Sequence, residues 1–156
     1  MSASPIKYID RTRAYYSSQG FARPYVWARN SYIPFAKVEK ALSESRLALL
    51  TTAKPMETAG QEPNLHIRDV RPIPTQLHTD DVAWDKETTH TNDLGSFFPL
   101  ADLLNMVEET HLGSIAAQFY CVPTRFSQKH ICDVDAPNIL KALQADEVDV
   151  ALLVPL

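Results

Sequence analysis

Apolar positions in this chain fall into short blocks separated by polar loops, and the period inside each block predicts an element. RLALLTTA, 46–53, reads as the first strong strand, and KPMETAGQEPNL after it reads as a Pro- and Gly-marked loop. HIRDVRPIP, 66–74, alternates weakly, with Ile67, Val70 and Ile73 among charges. Pro72 and Pro74 there suit an edge strand or a strand end. Residues 75–98, TQLHTDDVAWDKETTHTNDLGSFF, form a long acidic loop. Loops of that length inside a compact domain are usually functional or disordered.

PLADLLNMVEE, 99–109, has helical spacing: Leu100, Leu103, Leu104 and Val107 form one stripe. Pro99 suits the first helical position and Gly113 a left-handed cap past the end. SIAAQFYCV, 114–122, reads as a strand, and PTRFSQKHICDVD, 123–135, as a loop. APNILKALQA, 136–145, reads as a helix capped by Asp135, with Ile139, Leu140 and Leu143 facing the core. The last block, VDVALLVPL at 148–156, is apolar on both faces: Val148, Val150, Leu152 and Val154 on one, Ala151 and Leu153 on the other. That pattern predicts a strand in the middle of a parallel sheet covered by helices. Burying Val150, Leu152, Leu153 and Val154 would contribute about 6–12 kcal/mol.

The resulting order, β-loop-β-loop-α-β-α-β, predicts an α/β fold with a parallel or mostly parallel layered sheet, Rossmann-like or flavodoxin-like and incomplete at its carboxyl end. Residues 1–45, punctuated by Pro5, Gly20, Pro24 and Pro34, read as an extended or partly helical arm, with a short helical turn at KVEKAL, 37–42. Residues 46–156 read as one α/β domain, the amino-terminal part of a longer one.

Charge sharpens this division. Residues 1–45 hold seven Lys/Arg against three Asp/Glu, net +4, and the remainder eight against sixteen, net −8. Eight of the fourteen aromatics also lie in 1–45. Basic and aromatic residues together serve nucleic-acid binding or a protein interface. With no nucleic-acid motif present, the arm is expected to pack over an acidic body or a second subunit. A homo-oligomer is therefore expected, without nucleic acid or membrane as partner. No apolar run approaches the roughly 18 residues of a membrane helix, and no secretory signal is legible, so a cytoplasmic location is expected.

In open α/β sheets the ligand crevice lies beyond the carboxyl ends of the strands. Those ends carry Thr51 and Thr52, Tyr120 and Cys121, and Pro155 and Leu156. The acidic loop adds His78, Asp80, Asp81, Asp85, Glu87, His90 and Asp93, with Trp84 as its anchor. Its spacing matches no metal signature, and no metal is expected. The expected contacts to a small polar substrate are Thr51, Thr52, His78, Asp80, Asp81, His90 and Thr91. Cys121 and Cys132 form no zinc pattern and read as reduced thiols, Cys121 near enough to the crevice to serve as an accessory thiol. His111 and His130 read as surface residues. There is no phosphate loop and no G-x-S-x-G elbow.

RLALLTTA, HTDDVAWDKETTHTNDLGSFFPLADLLNMVEETHLGSIA and VDVALLVPL resemble, in that order, the selenoprotein B family. The family comprises the substrate-binding component of glycine/sarcosine/betaine reductase, its D-proline reductase relative and shorter proteobacterial homologues. The resemblance covers about residues 40–156. It implies a reductase acting with partner subunits or a thiol reductant. It also implies a selenocysteine- (or cysteine-)x-x-cysteine motif directly after the strand resembling VALLVPL. That motif is expected immediately after Leu156, read through a UGA codon, so no catalytic residue is expected in these 156 residues and none of the reductase activity. No cofactor besides that selenocysteine is expected. The alternative is a naturally short, non-catalytic module that binds a small ligand or a partner through the acidic loop 75–98.

Overall fold

The computed structural model describes residues 6–23, 26, 28–34, 36–83 and 85–156. Trp84, the expected loop anchor, lies outside the described residues. The chain divides into two compact units, Met1–Phe35 and Ala36–Leu156.

The first unit contains α1 (Tyr8–Ser18). Its carboxyl end is closed locally: Gly20 takes φ +84°, and its amide donates to the Ser17 carbonyl at 3.1 Å. This turn brings Phe21 edge-on to Tyr16, ring centroids 5.6 Å apart, and Tyr15 stands edge-on to Tyr16 at 5.7 Å. No residue of α1 is buried.

The second unit is a five-stranded mixed sheet, mostly parallel, with helices. β1 (Arg46–Thr51) is its centre. One edge of β1 carries β3 (Ser114–Ile115) and β4 (Gln118–Cys121), the other carries β5 (Val150–Val154), and all three run parallel to it. β2 (His66–Asp69) pairs antiparallel with β4. β1 earns its central place by composition, since Leu47 to Thr51 are buried throughout. Leu47 and Leu49 join one core cluster with Leu100 and Leu103 of α2 (Leu100–Glu108). Ala48 and Leu50 join a second with Ile139, Ala142 and Leu143 of α4 (Ala136–Ala145). The two helices thus cover opposite faces of β1. Phe98 and Phe119, edge-on at 4.7 Å, fill the first cluster.

Several elements differ from the sequence reading. The strand expected over 66–74 ends at Asp69, and the cis Arg71–Pro72 bond lies beyond it. The strand expected over 114–122 is interrupted: Arg46 faces Ser114 but Leu50 faces Tyr120, four steps on β1 against six on its neighbour. The two extra residues leave Ala117 turned outward, where its carbonyl accepts from the Val70 amide at 2.9 Å. The helical turn expected at 37–42 lies instead at Leu42–Glu44. Pro99 precedes α2 as its N-cap residue, not its first helical residue. The left-handed residue after α2 is Thr110, φ 61°, not Gly113.

The helix expected from Ala136 begins earlier. α3 (Gln128–His130) runs through a π turn, Ile131–Asp135, into α4. Asp135 is therefore not a cap. It is buried and pairs with Arg125 Nε at 2.8 Å. Leu140, expected in the core, is 55 % exposed. β5 is an edge strand among the described residues, not a central one, with Ala151 exposed and Leu153 51 % exposed. Its other face, Val150, Leu152 and Val154, packs on the α2 side of the core.

Candidate functional site

Register places the strand ends level. Thr51 is the partner of Cys121 on one side and of Val154 on the other, and His66 stands opposite Cys121. β1, β4 and β5 thus end together, and the residues that follow them share one crevice. Thr51 itself is fully buried, its Oγ1 accepting from the Ala53 amide at 3.2 Å, so it shapes the strand exit and does not face solvent. Thr52 is half-buried, and its Oγ1 accepts from the Leu156 amide at 2.9 Å. That bond ties the end of β5 to the end of β1.

Beside Thr52 is a recess of about 240 Å³ lined by Lys54, His78, Asp81, Cys121 and the 60–64 loop. Its walls are assembled by backbone pairing. Lys54 and His78 exchange two main-chain hydrogen bonds, Lys54 N to His78 O at 3.0 Å and His78 N to Lys54 O at 2.7 Å. This bridge pins the start of the acidic loop to the residue three past β1. Lys54 Nζ reaches the Asp81 carboxylate and the Gln61 carbonyl, so one ammonium joins both loops. His78 Nε2 lies 3.2 Å from Asp81 Oδ2. That carboxylate is its one neighbour, since the buried nitrogen is otherwise without a partner. Val82, Val122, Pro63 and Pro123 supply apolar wall between these groups.

Electrostatics follows the contacts. Hydrogen bonds from Lys54 and then His78 hold the Asp81 carboxyl below its ordinary value, so it is a carboxylate at neutral pH. Burial, reinforced by the Arg68 and Lys54 charges, lowers His66 and keeps its imidazole neutral. Burial pushes the Cys121 thiol up to about 12. A thiol in that state carries almost no thiolate at neutral pH, and thiolate is the nucleophile.

The structure therefore brings Thr52, His78, Asp81 and Cys121 to one recess. It does not bring the other candidates there. Asp80 and Thr91 line a separate cleft of about 490 Å³, which His78 also borders. Thr91 Oγ1 is 3.0 Å from Thr79 Oγ1, and Asp80 pairs with Lys86 at 3.6 Å. His90 is exposed and lines neither space. Asp85 serves its own loop, accepting from the Glu87 and Thr88 amides at 3.1 Å each. Asp93 accepts from the Gly95 amide at 3.0 Å. His111 is exposed, and His130 is half-buried with Nε2 3.7 Å from Asp135 Oδ1. No group of three or more His, Cys, Asp or Glu side chains among the described residues is placed to hold a metal ion. No helix among them is long and apolar enough to cross a membrane.

Lys54, Gln61 and Asn64 are site residues that the sequence reading missed. Lys54 had a readable signal, since it lies three residues past β1 in the direction where the crevice opens. Gln61 and Asn64 had none, because a Pro- and Gly-marked loop does not reveal which way it folds. Comparison of the chain with protein-family models, curated proteins and solved structures gave no match.

Proposed function

We propose that this chain is the amino-terminal part of a selenol- or thiol-dependent reductase component related to the selenoprotein B proteins of glycine/sarcosine/betaine reductase and D-proline reductase. Its sheet belongs to the Rossmann or flavodoxin type, continued by residues beyond Leu156. The observation that carries the reading is the convergence of two facts. Segments 46–53, 78–116 and 148–156 resemble that family in order, and the carboxyl ends of β1, β4 and β5 meet beside the Lys54–His78–Asp81 recess. The residue that follows β5 in this family is the reactive chalcogen, and here β5 is tied to Thr52 at that crevice.

A selenol in that position would supply a nucleophile that is anionic at neutral pH, and the motif's cysteine would supply a second thiol beside it. The chain's own residues bind and orient. Lys54 and Asp81 present opposite charges, His78 sets its ring nitrogen beside the Asp81 carboxylate, and Val82, Val122, Pro63 and Pro123 give the recess an apolar wall. Cys121 lines the recess as a thiol that burial holds in its protonated form. Partner reductase subunits or a thiol reductant supply electrons, and the protein works in the cytoplasm.

The genomic codon after Leu156 tests this. The expected result is UGA, or a cysteine codon, followed in frame by a further cysteine three residues on. UAA, UAG or an unrelated continuation overturns the reading and leaves the ligand-binding module in its place.

A further inference from the structure

We propose that residues 6–35 form a docking arm that binds a second copy of this chain. This inference does not depend on the reductase reading. No described residue in that segment is buried, yet it is rich in large apolar side chains. Tyr8, Tyr15, Phe21 and Tyr32 are 60–79 % exposed, and Ile6 and Ile33 are 73–75 % exposed. Soluble chains rarely leave so many large apolar groups in water without a partner for them.

Composition points to protein as that partner. Residues 1–35 hold five Tyr, two Phe, one Trp and four Arg, with one Lys and no Glu. Tyr, Trp, Phe and Arg are enriched at protein interfaces, whereas Lys and Glu are depleted. A membrane-surface arm would favour Lys together with Arg on one polar face. The turn Ser17–Phe21 also holds Tyr15, Tyr16 and Phe21 against one another before any partner arrives. A pre-ordered contact patch loses less entropy on binding.

Charge complementarity points to this same protein. Residues 1–35 carry five Lys/Arg against one Asp/Glu, net +4, and residues 36–156 carry ten against eighteen, net −8. Each copy therefore offers both a basic arm and an acidic surface, which is what a self-complementary dimer requires. The area is adequate. The four exposed aromatic rings alone present roughly 400–700 Å². Ile6 and Ile33 bring the arm close to the roughly 800 Å² that one partner gives a standard interface.

The test is sedimentation equilibrium of the 156-residue chain beside the variant Tyr8→Ser/Tyr15→Ser/Phe21→Ser/Tyr32→Ser. The parent chain is expected to dimerise at micromolar concentration, and its dissociation constant to rise about tenfold between 50 mM and 500 mM NaCl, as screening predicts. The variant is expected to dissociate at least about tenfold more readily. At a concentration where both chains are monomeric, unfolding of the sheet should be unchanged, because the substituted residues lie outside residues 36–156 and are exposed. Carbodiimide coupling of mixed ¹⁴N- and ¹⁵N-labelled copies is expected to join Lys7 of one copy to a carboxylate within 36–156 of the other. A parent chain that stays monomeric at 100 µM overturns the proposal. So does a variant that dimerises as tightly as the parent, or Lys7 crosslinks confined to single copies.

Discussion

Gly113 is held where the chain leaving α2 crosses the Glu44–Ser45 backbone, and a Cβ placed there would lie 2.8 Å from Glu44 C and Ser45 O. Main chain cannot move aside as a flexible side chain can. Gly113→Ala should therefore destabilise the protein by about 1–3 kcal/mol, read from urea unfolding midpoints. An unchanged midpoint would mean that the crossing is looser than described. The sequence marks Gly113 as special but suggests the wrong reason, a helix cap, because the obstruction comes from residues nearly seventy positions away. The two cysteines part in the same way. Local sequence treats both as free thiols, but Cys121 is buried with its thiol pushed up to about 12, whereas Cys132 is exposed. With a chromogenic disulfide at pH 8, Cys121 should react roughly a hundredfold more slowly than Cys132, and at the same rate only once the protein is unfolded in urea. Equal rates in the native protein would contradict its burial.

At the scale of elements, the apolar blocks located β1, α2, α4 and β5: α2 and α4 by helical spacing, β1 and β5 as short runs apolar on both faces. Period could not rank β5 within the sheet, since an apolar outer face reads the same whether or not something covers it. The difference is measurable. Leu49, fully buried on β1, should cost about 2–5 kcal/mol when changed to Ala. Leu153, half-exposed on β5 and directly beyond Leu50, should cost less than about 1.5 kcal/mol. Similar losses at both positions would place β5 inside a covered sheet. The start of the α3–α4 run was likewise hidden. Asp135 before Ala136 and Pro137 has the signature of a helix cap, but its carboxylate is engaged by Arg125 from the preceding loop. That pairing depends on how the loop after β4 folds, which no local pattern encodes.

Over the whole molecule the candidate site combines legible and illegible parts. Thr52, Cys121, His78 and Asp81 were readable because strand ends and the acidic loop were readable. Their meeting point was not, because it rests on the Lys54–His78 backbone bridge. The same contacts set the response to acid. Glu57, Asp81, Asp85 and Asp149 are all held below the ordinary carboxylate range by hydrogen bonds and cations. Each such group contributes stability at neutral pH that is lost as pH falls through its lowered value, since the unfolded chain takes up the proton first. His66, lowered mainly by burial, follows the same sign at higher pH: below about 6.5 the unfolded imidazole protonates while the folded one resists. The melting temperature should therefore be level from pH 8 to 7, sag below about 6.5, and fall steeply below about 4. His66→Gln should remove the first sag and leave the second. A sag that persists in that variant would place its origin elsewhere.

The most direct measurement on the functional account is peptide mass spectrometry of the native protein isolated from its own cells. Trypsin cuts after Lys141, so the peptide that begins at Ala142 carries β5 whole. It is predicted to run past Leu156 into a selenium isotope envelope or an alkylated cysteine, with a second cysteine close behind. A peptide that ends at Leu156 would contradict the reductase account.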